Sequence, residues 1–315
     1  MTLVEPATQS VPVIGLVQAS AASGVQASPA SRRSAWQFTL LPALRHHPLA
    51  VLAALILVVV VLAGVLAPVL FPRDPMSIVA DPFIWPGTEI SHPLGTDALG
   101  RDLLAELVHG AAISLQVGIL ATVVGLALGV AIGAIAGYFG GWVDALLSRL
   151  IELFQILPSF VTLVVIMAIT KPSIPILSLS IAIVTWPTIA RLTRTEFLSI
   201  REKEFIMAAR GLGYGHARII LAEILPNALP PIIVTASVMV ASAILMESAI
   251  SFLGLGDANV VSWGSMIGAG REYLRSAWYI CAIPGFAIMF TALSLNFIAD
   301  ALNEVLNPRK AERRA

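Results

Sequence analysis

Residues 110–143 read GAAISLQVGILATVVGLALGVAIGAIAGYFGGWV, with no Asp, Glu, Lys or Arg among them. An ionised group near the centre of a bilayer costs roughly 2.5–3.5 kcal/mol on insertion scales, and ~20 apolar residues in a helix cross its ~30 Å of hydrocarbon. A charge-free run of this length reads as a transmembrane helix. Working outward, five further stretches have the same character: Pro48–Pro72, Leu153–Thr170, Pro172–Ala190, Ile224–Met246 and Ser276–Ala299. The third of the six in chain order is the shortest and contains Gln155 and Pro158, so it extends back to about Ala145. That places Arg149 and Glu152 in its first turns, three residues apart on one face. The pair either neutralises itself at the membrane edge or takes part in gating.

Composition agrees with six spans. Of 315 residues, 57% are hydrophobic and 12% charged, and the mean hydropathy is +0.88. A soluble domain carries about 25% charge, so a water-soluble enzyme is excluded. The fold class expected is an all-α polytopic membrane protein with six transmembrane helices. The single cysteine, Cys281, forms no intrachain bridge. The formal net charge is zero, which argues against a nucleic-acid binder with a global basic field.

Basic residues set the orientation. With the amino terminus inside, the inner segments hold fourteen Lys and Arg and the outer segments five. This positive-inside bias places both termini in the cytoplasm. With acidic residues counted, the inner side sums to +4 and the outer side to −4, so the neutral total is a cancellation across the membrane. The expected organisation is a largely disordered cytoplasmic tail at 1–47 and a first span at 48–72. An extracytoplasmic loop with short helices follows at 73–109. The core, 110–306, holds five spans and a cytoplasmic helix at 204–213, and a cytoplasmic tail runs over 307–315.

Four stretches hold more than hydrophobicity requires. In the outer loop, Thr96 or Asp97 is positioned to cap a short helix near Ala98, with Leu99, Leu103, Leu104 and Leu107 as its apolar stripe. Gly125, Gly129, Gly133 and Gly137 recur every four residues on the second span. Such a ridge lets another helix approach closely and gain van der Waals contact that lipid supplies less well. The inner segment Arg191–Asn227 contains a short helix closed by glycine near Gly211 or Gly213, with Phe205, Ala208, Ala209 and Leu212 on one flat, mildly apolar side. A helix resting on the membrane and one inserted in a partner's groove both fit. Finally, Glu247 ends an apolar run before Ser251-Phe-Leu-Gly-Leu-Gly256. It either marks the water boundary or faces a polar cavity.

Catalytic constellations are absent from the sequence. The Gly211–Gly215 cluster has no preceding strand pattern, and no P-loop, HExxH pair or Gly-x-Ser-x-Gly elbow occurs. Uphill transport would therefore draw its energy from a partner or an ion gradient.

The motifs, taken in order, resemble a known family. They are His92-Pro-Leu-Gly-Thr-Asp97 with Gly100-Arg-Asp102, Ser114-Leu115, Val117-Gly118, Gly137-Tyr-Phe-Gly-Gly-Trp142 with Asp144, Pro158, Glu204 through Gly213, Leu225-Pro-Asn227, Ser251 through Gly256, Trp263-Gly264, Pro284-Gly285 and Asn307-Pro-Arg309. From about Pro48 to Arg309 the chain resembles the C-type permease subunit of ATP-binding-cassette importers for dipeptides, oligopeptides and nickel. The resemblance implies a type I importer permease fold in the inner membrane and an outer helical scoop over 73–109. It implies as partners a homologous B-type permease subunit, two cytoplasmic ATPase subunits or domains, and an extracytoplasmic binding protein, all in a lipid bilayer. The inner helix is similar to the family's EAA loop. Ala208, Ala209, Gly213, Leu225 and Pro226 occupy their places, while Met207 stands at the leading Glu position and Glu223 at the Ile position. By resemblance Glu204, Phe205, Ala208, Ala209, Arg210, Gly213, Leu225 and Pro226 couple to the ATPase. No cofactor is expected in this chain, ATP and Mg being held by the partners. Gln116, Gln155, Ser159, Glu247 and Asn296 are candidates for the translocation path, though each also suits a helix–helix hydrogen bond. The implied function is peptide import, with nickel complexes or other small peptide-like solutes as an alternative. An ion-gradient-driven secondary transporter is the remote one.

Overall fold

The computed structural model describes residues 48–306. The expectations for the two tails, including Asn307-Pro-Arg309, lie outside the described residues. Nine helices follow in chain order among them: α1 Pro48–Leu70, α2 Leu103–Phe139, α3 Gly141–Ile156, α4 Ser159–Ile169, α5 Ile174–Arg201, α6 Glu204–Gly211, α7 His216–Phe252, α8 Trp263–Gly270 and α9 Tyr279–Leu306. Helices α1, α2, α5, α7 and α9 are each long and apolar enough to span a membrane, and α3 with α4 makes a sixth span if the bent pair is one crossing. Inner and outer below follow the charge-based orientation.

The glycine ridge of α2 brings α5 into close contact along its length. A methyl group on Gly129 would lie 2.7 Å from Ile189 Cβ, one on Gly133 2.4 Å from Ala190 O, and one on Gly137 2.6 Å from Phe197 Cβ. Each glycine costs about 1 kcal/mol of helix propensity relative to alanine. The return is backbone-to-backbone contact with α5 over about three turns, which no larger residue permits. Gly125 opens the same seam beside Thr185 and Ala182. Farther along α2, Gly118 accommodates Ile244 of α7 and Gly110 accommodates Trp263 of α8.

The third span departs from a straight helix. Leu157 is extended (φ −84°, ψ 134°) before Pro158, and α3 and α4 meet at 77°. Proline disfavours the α region for the residue before it and cannot donate within the helix, so the break falls where the sequence places Pro158. Arg149 Nη1 does donate to Glu152 Oε2 at 3.0 Å.

The outer loop holds a correction. No short helix begins near Ala98; instead α2 itself starts at Leu103, capped by Asp102, which accepts from Leu104 N at 3.0 Å. Residues 103–109 therefore belong to the span's own helix, and 71–102 is a loop of turns and isolated bridges. The physical reason is the backbone at Gly100. Its φ of +81° breaks any helix, and a Cβ there would sit 2.1 Å from Ala80 O. Asp97 accepts from Leu99 N and Arg101 N, both at 2.8 Å, so it closes a turn. The loop is fastened to the start of α9, where the Tyr279 hydroxyl donates to Ile84 O at 3.0 Å and to Thr96 O at 3.1 Å. Trp85 packs on the Tyr279 ring at 5.0 Å.

Candidate functional site

On the inner side, Arg191–Arg201 extends α5 past its apolar stretch, and after two intervening residues α6 begins. Lys203 starts α6 without a side-chain cap, while Glu204 in its first turn and Arg210 in its last suit the helix dipole. Gly213 terminates it in the left-handed conformation, φ +78°. There Gly213 N donates to Arg210 O at 3.0 Å and Tyr214 N to Ala209 O at 3.1 Å.

The faces of α6 differ from the flat side expected. Ile206 is fully buried in a cluster with Tyr138, Phe197, Ile200, Ile219 and Ile224, and Ala209 is nearly as buried. Phe205 is half-buried against that cluster. Met207, Ala208 and Leu212 are exposed, as are Glu204, Arg210 and Gly213. Ala209 thus faces the chain's own interior and Ala208 the exterior. The two alanines are one residue apart, about 100° around a helix, and the boundary between the buried and exposed faces falls between them. Ile206, which the pattern did not single out, is the anchor. Beyond Gly215, α7 opens with a π-helical turn at Ile219–Ile224, a geometry that concentrates at functional sites. Leu225 and Pro226 follow half-buried at its end. Asn227 Nδ2 donates to Glu223 O at 2.6 Å.

Two cross-chain locks sit beside this surface. Arg194 of α5 grips Asp144 of α3 through both carboxylate oxygens. Arg201, the last residue of α5, donates from Nη1 to Gly137 O at 3.0 Å. Separations in sequence of 50 and 64 residues put both beyond any local pattern. The only signal was that Asp144 and Arg194 are charges at the edges of apolar runs.

Toward the outer side, Glu247 does not mark the water boundary. It lies within α7, 1% exposed. Its carboxylate accepts from Ser251 Oγ at 2.8 Å, Ser114 Oγ at 3.0 Å and Ser248 Oγ at 3.3 Å. A carboxyl group is accommodated at this depth because three hydroxyls satisfy its oxygens in place of water. Ser114 Oγ also accepts from Trp263 N at 3.4 Å, and the Trp263 indole donates to Leu107 O at 3.0 Å. Helices α2, α7 and α8 are thereby joined around one carboxylate. A narrow cavity there is lined by Glu247, Ser251, Asp257 and Ser262 with Val117 and Leu177.

The remaining path candidates do not converge. Gln116 is exposed on α2, Gln155 exposed on α3, and Asn296 exposed on α9, where its amide donates to Ala292 O at 3.0 Å. Ser159 lines a cleft of about 220 Å³ at the α3–α4 bend, together with Leu153, Phe154, Leu157, Thr162 and Val184. Among the described residues no group of three or more His, Cys, Asp or Glu is arranged to hold a metal ion.

Comparison with known proteins bears on this arrangement. A family described as "Binding-protein-dependent transport system inner membrane component" matches residues 129–312. The dipeptide transport system permease protein DppC of Alkalihalophilus pseudofirmus is 39% identical over 267 residues, 84% of this chain and 88% of that protein. The probable D,D-dipeptide transport system permease protein DdpC of Escherichia coli is 34% identical, covering 84% of this chain and 89% of its own length. Among solved structures, an inward-facing MetNI methionine ABC transporter chain superposes with a TM-score of 0.55 at 17% identity, over 64% of this chain and 96% of that chain. At that identity the likeness concerns the fold alone.

Proposed function

The chain belongs to the family of binding-protein-dependent transport system inner membrane components, and on that premise we propose that it is the translocation subunit of an ATP-driven peptide importer. It is a multi-pass inner-membrane protein and a permease subunit. Its substrates are of the dipeptide or oligopeptide class, as the names of relatives covering most of its length suggest. ATP is bound, with Mg, and hydrolysed by two partner ATPases; a B-type permease completes the pathway, and an extracytoplasmic binding protein delivers the substrate. Both termini are cytoplasmic.

The observation that carries this reading is α6. A short helix is anchored inward by Ile206 and Ala209 and presents Met207, Ala208 and Leu212 outward beside Glu204 and Arg210. An apolar strip flanked by opposite charges suits a groove on a partner. Closure of the ATPases would then displace α6, and the attached α5 and α7 would switch between inward and outward openings as rigid elements. Phe205 and Ala209 lie on the side of α6 turned to the chain's interior, Leu225 and Pro226 are half-buried farther along, and Glu204, Ala208, Arg210 and Gly213 lie on the accessible surface. The test is reconstitution of the chain with its ATPases, permease partner and binding protein in liposomes. Peptide uptake that requires ATP and all four components is the expected result. Uptake by the chain alone, without ATP, would overturn the reading.

A further inference from the structure

The inner end of α2 touches the coupling segment at its entrance, along the helix and at its exit. At the entrance, Arg201 bonds to Gly137 O. Along the helix, the Arg210 guanidinium of α6 stands 5.6 Å from the centroid of the Tyr138 ring, within cation–π range. At the exit, the Tyr138 hydroxyl and Nδ1 of His216, the first residue of α7, share a hydrogen bond of 2.7 Å. Their rings meet edge to face at 5.6 Å, and the neighbouring Phe139 ring lies 5.9 Å from the imidazole. Tyr138 itself is buried in the cluster that holds Ile206 of α6.

The covalent route from α6 to α7 is softer. It runs through Gly211-Leu-Gly-Tyr-Gly215, and a Cβ on any of the three glycines would meet nothing within 4 Å. Glycine backbones with no side-chain packing yield to a push by changing φ and ψ. The π-helical turn at Ile219–Ile224 adds a second compliant joint. A displacement of α6 would dissipate along this path unless something stiffer bridges it.

We propose that Tyr138 is a positioning residue of the transport cycle: it ties Arg210 and His216 to α2, so that movement of α6 is passed into the span carrying the glycine ridge. The inference rests on α6 being the ATPase-contacting helix. The hydroxyl–imidazole bond is the joint, and the ring is the bearing surface for Arg210. Because α2 is packed backbone to backbone on α5, a load delivered at Tyr138 moves both helices together.

The experiment uses the complete transporter in liposomes and reads substrate transported per ATP hydrolysed. Tyr138→Phe, which keeps the ring and removes the hydroxyl, is expected to lower that ratio about tenfold, as is His216→Ala. The double variant is expected to be no worse than either single one, since both remove the same bond. His216→Asn, which keeps a polar atom near the position of Nδ1, is expected to return the ratio to within about twofold. If Tyr138→Phe does not assemble, the His216→Ala and His216→Asn pair decides alone. Ala208→Glu, on the exposed face of α6, separates the two readings. An unchanged ratio in Tyr138→Phe with uncoupling in Ala208→Glu overturns the role of Tyr138 only. Unchanged ratios in both overturn the docking role of α6 and this inference with it. Losses that multiply in the double variant also overturn the joint.

Discussion

Arg194 of α5 and Asp144 of α3 form a two-pronged ion pair, with Nη2 donating to Oδ2 at 2.7 Å and Nε to Oδ1. The side chains keep only 29% and 17% of their exposure, so water screens the pair poorly. A planar guanidinium matches both oxygens at once, which an ammonium cannot. Asp144→Ala should leave Arg194 unpaired in a half-dry site and cost about 1–3 kcal/mol. Arg194→Lys should recover less than half of the pair's contribution. Thermal unfolding of the detergent-purified chain measures both, and equal melting temperatures for Lys and Arg would sink the bidentate account.

The glycine ridge predicts a graded response to added volume. Gly133→Val must push a side chain into Ala190 O and Thr193, and overpacking of this kind costs about 1–3 kcal/mol or more. Gly285→Ala, where a Cβ meets nothing within 4 Å, should be neutral or stabilising by up to about 1 kcal/mol through helix propensity. Size-exclusion yield and melting temperature of the two variants give the comparison. Equal behaviour would show that the seam between α2 and α5 is loose.

At the end of α6 the backbone makes the prediction. Gly213 has φ +78°, a conformation that costs a residue with a Cβ roughly 1–2 kcal/mol, and Asn tolerates it better than most. Gly213→Val should therefore lose substrate-stimulated ATP hydrolysis by the complex, while Gly213→Asn keeps most of it and both insert normally. Identical activity in Val and wild type would remove the termination geometry from coupling. Ile206→Asp should instead lower the yield of the chain itself, because it buries an unpaired charge in the cluster with Tyr138 and Phe197.

Glu247 predicts an ordering among substitutions. Glu247→Leu orphans the hydroxyls of Ser114, Ser248 and Ser251, at about 1–3 kcal/mol for the buried group that finds no other acceptor. Glu247→Gln retains one carbonyl acceptor and should fall between Leu and wild type. Ser114→Ala combined with Glu247→Leu should cost less than the sum, since the two share a bond. Additive losses in melting temperature would separate Ser114 from the network.

How far the sequence could be read follows from the type of residue involved. Charge-free runs located the spans other than α7 within a few residues at one end or the other, and the four-residue spacing of the ridge glycines coincides with the close approaches of α5. Pro158 and Gly213 marked a break and a helix end because their effects on the backbone are local. A separate short helix near Ala98 is expected because Thr96 and Asp97 suit a cap; the helix instead starts after Asp102, with Gly100 packing on Ala80 O. Glu247 was left open because its depth depends on Ser114, 133 residues away.

By itself, then, the amino-acid sequence determined the class of protein, the rough limits of its spans and the position of the short inner helix. Partition of apolar segments and the conformational limits of glycine and proline act within a few residues, so composition and spacing suffice for them. Only the tertiary structure decided that Ile206 and Ala209 face inward while Ala208 faces out, that Glu247 is internal, and that Tyr138 meets Arg210 and His216. Helix faces made of alanine, isoleucine and glycine are nearly equivalent to solvent or lipid. What separates them is which backbone can come close enough to touch, and that is settled by residues far away in the chain.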